Sequence, residues 1–168
     1  MAISMYQASV PAFVRMLGNL SAIVDKAAAY AEARKIDQRV LLNARLFPDM
    51  LPFGKQVQIA ADFAKGASAR LAGIEVPKYD DNETNLAEFK ARIQKTIVFL
   101  QTLKANQIDG SEDREIIIPI AGTPTPFKGL AYLIHFVLPN FYFHSATAYD
   151  ILRHSGVELG KRDFIGSV

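Results

Sequence analysis

Cysteine is missing from the 168 residues. With it go disulfides, thiolate nucleophiles and sulfur-bound zinc. A chain without cysteine suits a reducing compartment. An excess of one charge is missing too. Nineteen lysines and arginines face 17 aspartates and glutamates, a formal net charge of +2, and the longest basic cluster is Lys161-Arg162. A nucleic-acid binder shows a basic stripe or patch, so no nucleic-acid partner is expected. Long apolar runs are absent as well. No segment reaches the roughly 20 apolar residues that span a bilayer, and residues 1–18 lack the basic n-region of a signal peptide. No membrane partner and a cytoplasmic location are the resulting expectations. The familiar catalytic signatures are also lacking: no G-x-S-x-G elbow, no Gly-rich phosphate loop and no HExxH. Gly156-Val-Glu-Leu-Gly160-Lys161 has the wrong spacing for a phosphate loop and no strand before it.

What remains is a chain that is 50% hydrophobic and 21% charged, the balance of one globular domain spanning residues 1–168. A chain of this length buries roughly 70% of its unfolded surface, enough for one core without staples. Tyr6, Val10, Phe13, Leu17, Leu20, Val24, Ala27 and Ala31 recur at steps of four and three. That spacing predicts a helix over residues 4–34, with Pro11 marking either a kink or a start near Ser9. Residues 37–73 predict a second helical region, broken near Pro48 and Pro52, with Asp37 capping a short piece over 38–46. Its longer piece carries Phe53, Val57, Ala60, Ala64, Ala67 and Leu71, and its alanines predict close approach by a neighbour. Gly73 and Pro77 stop it. Residues 78–83 read as an exposed acidic loop. Thr84 or Asn85, with Glu88, caps a third helix carrying Leu86, Phe89, Ile93, Ile97, Leu100 and Leu103.

Beyond residue 110 the pattern changes. Four isoleucines within residues 114–121 predict a strand, and Pro119 places it at an edge. Residues 122–129 hold two prolines and two glycines and read as a loop. The apolar run 130–137 reads as the second strand of a small hairpin, with a helical reading of part of residues 128–137 left open. Pro139 opens a fourth helix running to about Ser155, with Gly156 as its stop. Residues 157–168 read as a short irregular tail.

The chemically interesting residues are few. His144 falls on the inward face of the fourth helix, four residues after Asn140, and ligands so spaced can converge on one metal. Asn140 is a neutral donor, however, and no histidine precedes residue 135. The expectation is therefore a buried His144 hydrogen-bonded to a neighbour. His135 is expected on a strand face. His154 is expected at a helix C-terminus, where a positive charge suits the dipole. Asp49, after Pro48, is expected to act as an N-cap. Asp62 and Arg70 are each candidates for ordinary ion pairs, and Asp150 with Arg153 for a surface pair. Phe141, Tyr142, Phe143 and Tyr149 point to core packing, or to a pocket or interface.

The sequence around His144, Leu152-Arg153 and Gly156-Val157 resembles the end of the fourth helix in the DinB-like (YfiT-like) superfamily. Asn43-Ala-Arg-Leu46, Pro48-Asp-Met50, Phe143-His144 to Arg153 and Gly160-Lys-Arg-Asp-Phe164 resemble an uncharacterised branch of it, known only as a domain of unknown function. The resemblance covers nearly the whole chain. It implies a mainly α fold, an up-and-down four-helix bundle with a small β-hairpin between helices 3 and 4. It also implies a divalent metal, often zinc or nickel, held by one histidine of the second helix and an H-x-x-x-H pair of the fourth. In some relatives such a site serves thiol-dependent transferase, isomerase or hydrolase chemistry. Here His144 matches the second histidine of the pair and Asn140 the first. The second helix has no histidine, and Asp49 or Met50 lies near that place.

Two expectations follow. The preferred one is a bundle without a cofactor, with a pocket near Asn140, His144, Met50 and Asp49 that binds a small molecule, or a chain that pairs as a homodimer. The alternative is a divergent metal-dependent enzyme with His144 as the remaining ligand and Asp49 and Asn140 as helpers.

Overall fold

The computed structural model describes residues 3–166. The helices α1 (Val10–Arg34), α2 (Gln38–Asn43), α3 (Phe53–Ala72), α4 (Leu86–Thr102) and α5 (Ala105–Ile108) come first. The strands β1 (Glu115–Ile120) and β2 (Thr123–Lys128) follow, then α6 (Gly129–Ala131), a π-helical turn (Tyr132–Val137), α7 (Leu138–His154) and α8 (Lys161–Ile165). α1 lies along α4 and α3 along α7, with α3 also packed on α4. These four helices are the expected bundle, and the hairpin sits between its third and fourth members.

The helical spacing explains the packing. Val10, Phe13, Leu17, Leu20, Val24, Ala27 and Ala31 are all buried, and so are Phe53, Val57, Ala60, Ala64, Ala67 and Leu71. Pro11 begins α1 rather than kinking it, because a first-turn N–H has no helical partner to lose. Ser9 does not cap that end; its hydroxyl donates back to the Met5 carbonyl at 2.6 Å. Both candidate caps of α4 are used. Asn85 Oδ1 accepts from the Glu88 N–H at 3.0 Å, while Glu88 Oε2 accepts from the Thr84 N–H at 2.5 Å. α7 ends at His154 and is stopped by Gly156, whose φ of 92° lets Val157 N–H reach the Leu152 carbonyl at 3.0 Å.

The hairpin is displaced from its expected position. Residues 123–128, inside the segment read as a loop, form β2, and residues 130–137, read as a strand, are helical. Ala121 and Gly122 have φ of 48° and 83°, the two positive values that a tight two-residue hairpin turn needs. Ile120 then pairs with Thr123, Pro119 with Pro124, Ile118 with Thr125 and Ile117 with Pro126. In an antiparallel ladder closed by such a turn, hydrogen-bonded and non-hydrogen-bonded pairs alternate from Ile120–Thr123 outward. All three prolines fall in non-hydrogen-bonded pairs, where their missing N–H costs the ladder nothing. Ile116 and Ile118 bury one face of β1.

Three smaller expectations also fail. α2 stops at Asn43, and Asp49 caps nothing: α3 begins after Pro52, and Asp49 is exposed in the intervening turn. The tail is not wholly irregular, since Lys161–Ile165 is helical and Val157 and Leu159 are buried. Residues 167–168 of that tail lie outside the described residues.

Candidate functional site

The site grows out of Pro139. The backbone is helical without a break from Gly129 to His154, so a proline there would clash with a carbonyl one turn back and leave it unpaired. The chain widens instead into the π-helical turn Tyr132–Val137, with the Leu138 N–H bonded to the Leu133 carbonyl. Asn140 Nδ2 donates to the Phe136 carbonyl at 2.7 Å, using its amide to satisfy backbone loosened by the turn.

This turn presents aromatics to α3 and the hairpin. Tyr132 and Phe136 stack with ring centroids 6.0 Å apart, Phe127 of β2 leans on Phe136 at 5.5 Å, and Phe63 of α3 meets Phe136 at 5.6 Å. Between them lies a cleft of about 270 Å³ lined by Ile59, Asp62, Phe63, Arg70, Ile118, Pro119, Tyr132 and Phe136. Arg70 Nη1 donates to the Tyr132 hydroxyl at 3.1 Å. Burial holds that phenol above its ordinary range, against the pull of the Arg70 charge, so it keeps its proton.

His144 stands on the other side of Phe63, stacked on it at 6.0 Å. Its Nδ1 lies 2.6 Å from Gln56 Oε1, the expected bond to a neighbour, but the ring is half-buried rather than buried. Gln56 Nε2 is committed to the Leu51 carbonyl at 2.9 Å, which fixes its Oε1 toward the imidazole. Nδ1 therefore carries the proton and donates. Burial lowers the pKa of His144 below the ordinary 6.5. The unfolded chain thus takes up a proton that the folded chain resists, and His144 withdraws stability as pH falls below 6.5. Unfolding by urea at pH 7.5 and 5.5 should show a stability loss on acidification that shrinks in His144→Gln. Equal losses in the two proteins would rule this assignment out.

Of the residues singled out in the sequence, Asn140 and His144 are one turn apart but use their side chains on different partners. Met50 is half-buried in the turn before α3, with Asp49 exposed beside it, and no hydrogen bond or ion pair among the described residues joins either to His144. A divalent metal of the superfamily kind needs about three protein donors, preferably imidazole or carboxylate. The donors here are one imidazole nitrogen, Nε2, and two neutral amide oxygens, of which that of Gln56 is already bonded to His144. Among the described residues no three His, Cys, Asp or Glu side chains gather for a metal. The residues do not fit that group.

The ionic pattern is richer than expected. Asp62 does not pair with Arg70; it pairs with Lys65 at 2.9 Å and with Arg92 at 3.1 Å. Arg92, buried on α4, also reaches Asp81 and Glu83, each at 2.9 Å. Tyr79 lies beneath the ammonium groups of Lys65 and Lys95, 3.8 and 4.2 Å from the ring centroid. Asp150 and Arg153 form no pair among the described residues. His135 lies exposed in the π-helical turn rather than on a strand, and His154 closes α7. Phe141 is core, while Tyr142 and Phe143 are exposed.

The comparisons agree with this architecture. Residues 5–165 match the family model described as Domain of unknown function (DUF1993). The crystal structure of a DinB family member protein from Shewanella denitrificans is 43% identical, with a TM-score of 0.90; the match covers 97% of this chain and 92% of that one. No curated protein matches the chain. No helix among the described residues is long and apolar enough to cross a membrane. With the bundle, the intervening hairpin and the His144–Phe164 region all in place, the chain belongs to the DUF1993 family of the DinB-like superfamily.

Proposed function

We propose that this protein binds a small, largely apolar molecule in the cleft between α3, β1 and the π-helical turn, and that it does so without a metal. The observation that carries this is the π-helical turn itself. Such turns are frequent at functional sites, and this one aligns Tyr132 and Phe136 on a wall that meets Phe63 at an angle. A concave, mostly aromatic surface with a few polar groups is the usual make-up of a ligand pocket. The pocket lies one aromatic layer away from His144, with Phe63 as the shared wall.

Small aromatic fragments titrated into 15N-labelled protein should shift the amides of Ile59, Phe63, Ile118, Tyr132 and Phe136. Phe63→Ala should weaken the best fragment about 10-fold, the worth of one aromatic contact. Shifts centred on Met50, Gln56 and His144 instead would move the site to the far side of Phe63, and no shifts at all would sink the reading. Elemental analysis of untagged protein supplies the second check. Near one metal per chain, lost in His144→Ala, would overturn the metal-free part.

A further inference from the structure

Among the described residues, Arg70 is the charged group of the cleft that forms no ion pair. Asp62 lines the same cleft, yet it is held by Lys65 and Arg92. Among the described residues no carboxylate pairs with Arg70; its only hydrogen-bond partner there is the neutral Tyr132 hydroxyl. The guanidinium is half-buried and packs on Gly66, where any Cβ would strike Nη1. A half-buried cation with only a phenol for company lacks the pairing that desolvated charge ordinarily finds. The Tyr132 hydroxyl, accepting from Arg70, still has its own proton to donate. Two donors thus stand side by side at the end of an aromatic wall.

We infer that the cleft selects a small planar monocarboxylate, its carboxylate taken by Arg70 and the Tyr132 hydroxyl and its body lying against the surface that Phe63 and Phe136 form together. This rests on the ligand cleft proposed above and adds the chemical class. The planar guanidinium fork matches a carboxylate in two parallel hydrogen bonds. One guanidinium balances one negative charge, so a dianion such as a phosphate monoester leaves its second charge unpaired in the cleft and is the poorer fit.

The test compares benzoate, its neutral isostere benzamide and the dianion phenyl phosphate by NMR titration on the wild-type protein, Arg70→Gln and Arg70→Lys. Benzoate should bind about 10-fold tighter than benzamide, the worth of a charge-assisted hydrogen bond. Arg70→Gln should erase that preference, costing benzoate more than benzamide, and Arg70→Lys should keep part of it. Amide spectra that match the wild type outside the cleft, at α1 and α4, certify that the variants are folded. Equal binding of benzoate and benzamide by the wild type would overturn the carboxylate assignment and leave the apolar cleft standing. Tighter binding of phenyl phosphate would overturn it as well. Failure of all three probes to bind would remove the cleft and this inference together.

Discussion

Arg92→Leu is expected to lower the free energy of unfolding by about 3 kcal/mol, the lower end of what breaking a buried ion pair costs. The arginine is 4% exposed and serves four acceptors: Glu83 and the Asp80 carbonyl through Nη1, Asp62 and Asp81 through Nη2. Without it the carboxylates lose their shared cation. Glu83 is the expensive one, at 8% exposure, whereas Asp62 and Asp81, each 42% exposed, can turn back to water. No residue of 74–85 is buried, so charge rather than core holds this segment across α3 and α4. Hydrogen exchange at residues 78–84 should therefore quicken in the variant more than exchange in α1. Urea unfolding that moves by less than 0.5 kcal/mol, roughly the scale of an ordinary surface substitution, would show that leucine repacks the site and that the network is not what fastens the segment.

The same network predicts a pH dependence. The hydrogen bond from Lys55 holds the Asp81 carboxyl below its ordinary 3.8, with the Arg92 charge helping and burial opposing. For Glu83, burial pushes the carboxyl up, but hydrogen bonds from Arg92 and Gln58 outweigh it and leave it below the ordinary 4.5. Both groups release their protons more readily in the folded chain, so the unfolded chain binds more protons on acidification. Their contribution is complete above pH 4.5 and is lost as pH falls through 3.8 and below. Arg92→Leu should flatten that part of the acid-unfolding curve.

Gly129→Ala is expected to cost about 2–3 kcal/mol by overpacking. Gly129 is buried where the chain leaves β2, and a Cβ there would strike the carbonyl group of Ser111. The obstacle is backbone, not a side chain able to swing aside, and it is tied down: the Leu130 N–H donates to the Glu112 carbonyl at 2.9 Å. Gly18 is the internal control. It lies in the exposed middle of α1 with nothing within 4 Å of an added Cβ, so Gly18→Ala should stabilise by about 0.5–1 kcal/mol through helix propensity alone. Thermal unfolding should move in opposite directions for the two variants. A Gly129→Ala melting point equal to that of the wild type would mean that the close approach is not required.

The bundle was legible because its signal is periodic. Each long helix carries an apolar stripe over three or more turns, and caps such as Asn85 and Gly73 are local chemistry. The hairpin was misplaced for a related reason. Prolines at 124 and 126 look like loop residues unless the register is known, and register is a property of two segments together. Residues 130–137 are apolar on nearly every side, so no period distinguished a strand from the π-helical turn. Reading that run as helical would have set Tyr132 and Phe136 four residues apart on one face, the available clue to the cleft. Arg92 gave no clue, because an arginine in a helix reads as solvated. Its burial depends on Asp62, 30 residues away in sequence, and on Glu83 in the segment before α4. His144 was found through its position on the inward face, but its partner Gln56 is 88 residues away and had no local mark.

The placement of the prolines in β1 and β2 has a consequence for how the molecule behaves in a crowd. A two-stranded sheet has two open margins, each a template on which another chain's strand could add. The outward-pointing backbone nitrogens belong to Glu115, Ile117 and Pro119 on one margin and to Pro124, Pro126 and Lys128 on the other. On the second margin only Lys128 retains a hydrogen to offer, and it brings a charge with it. Ile117, which is 58% exposed, can therefore face water beside a ribbon that gives incoming strands few places to pair. The residues that hid this strand in the sequence also guard it against cross-β association.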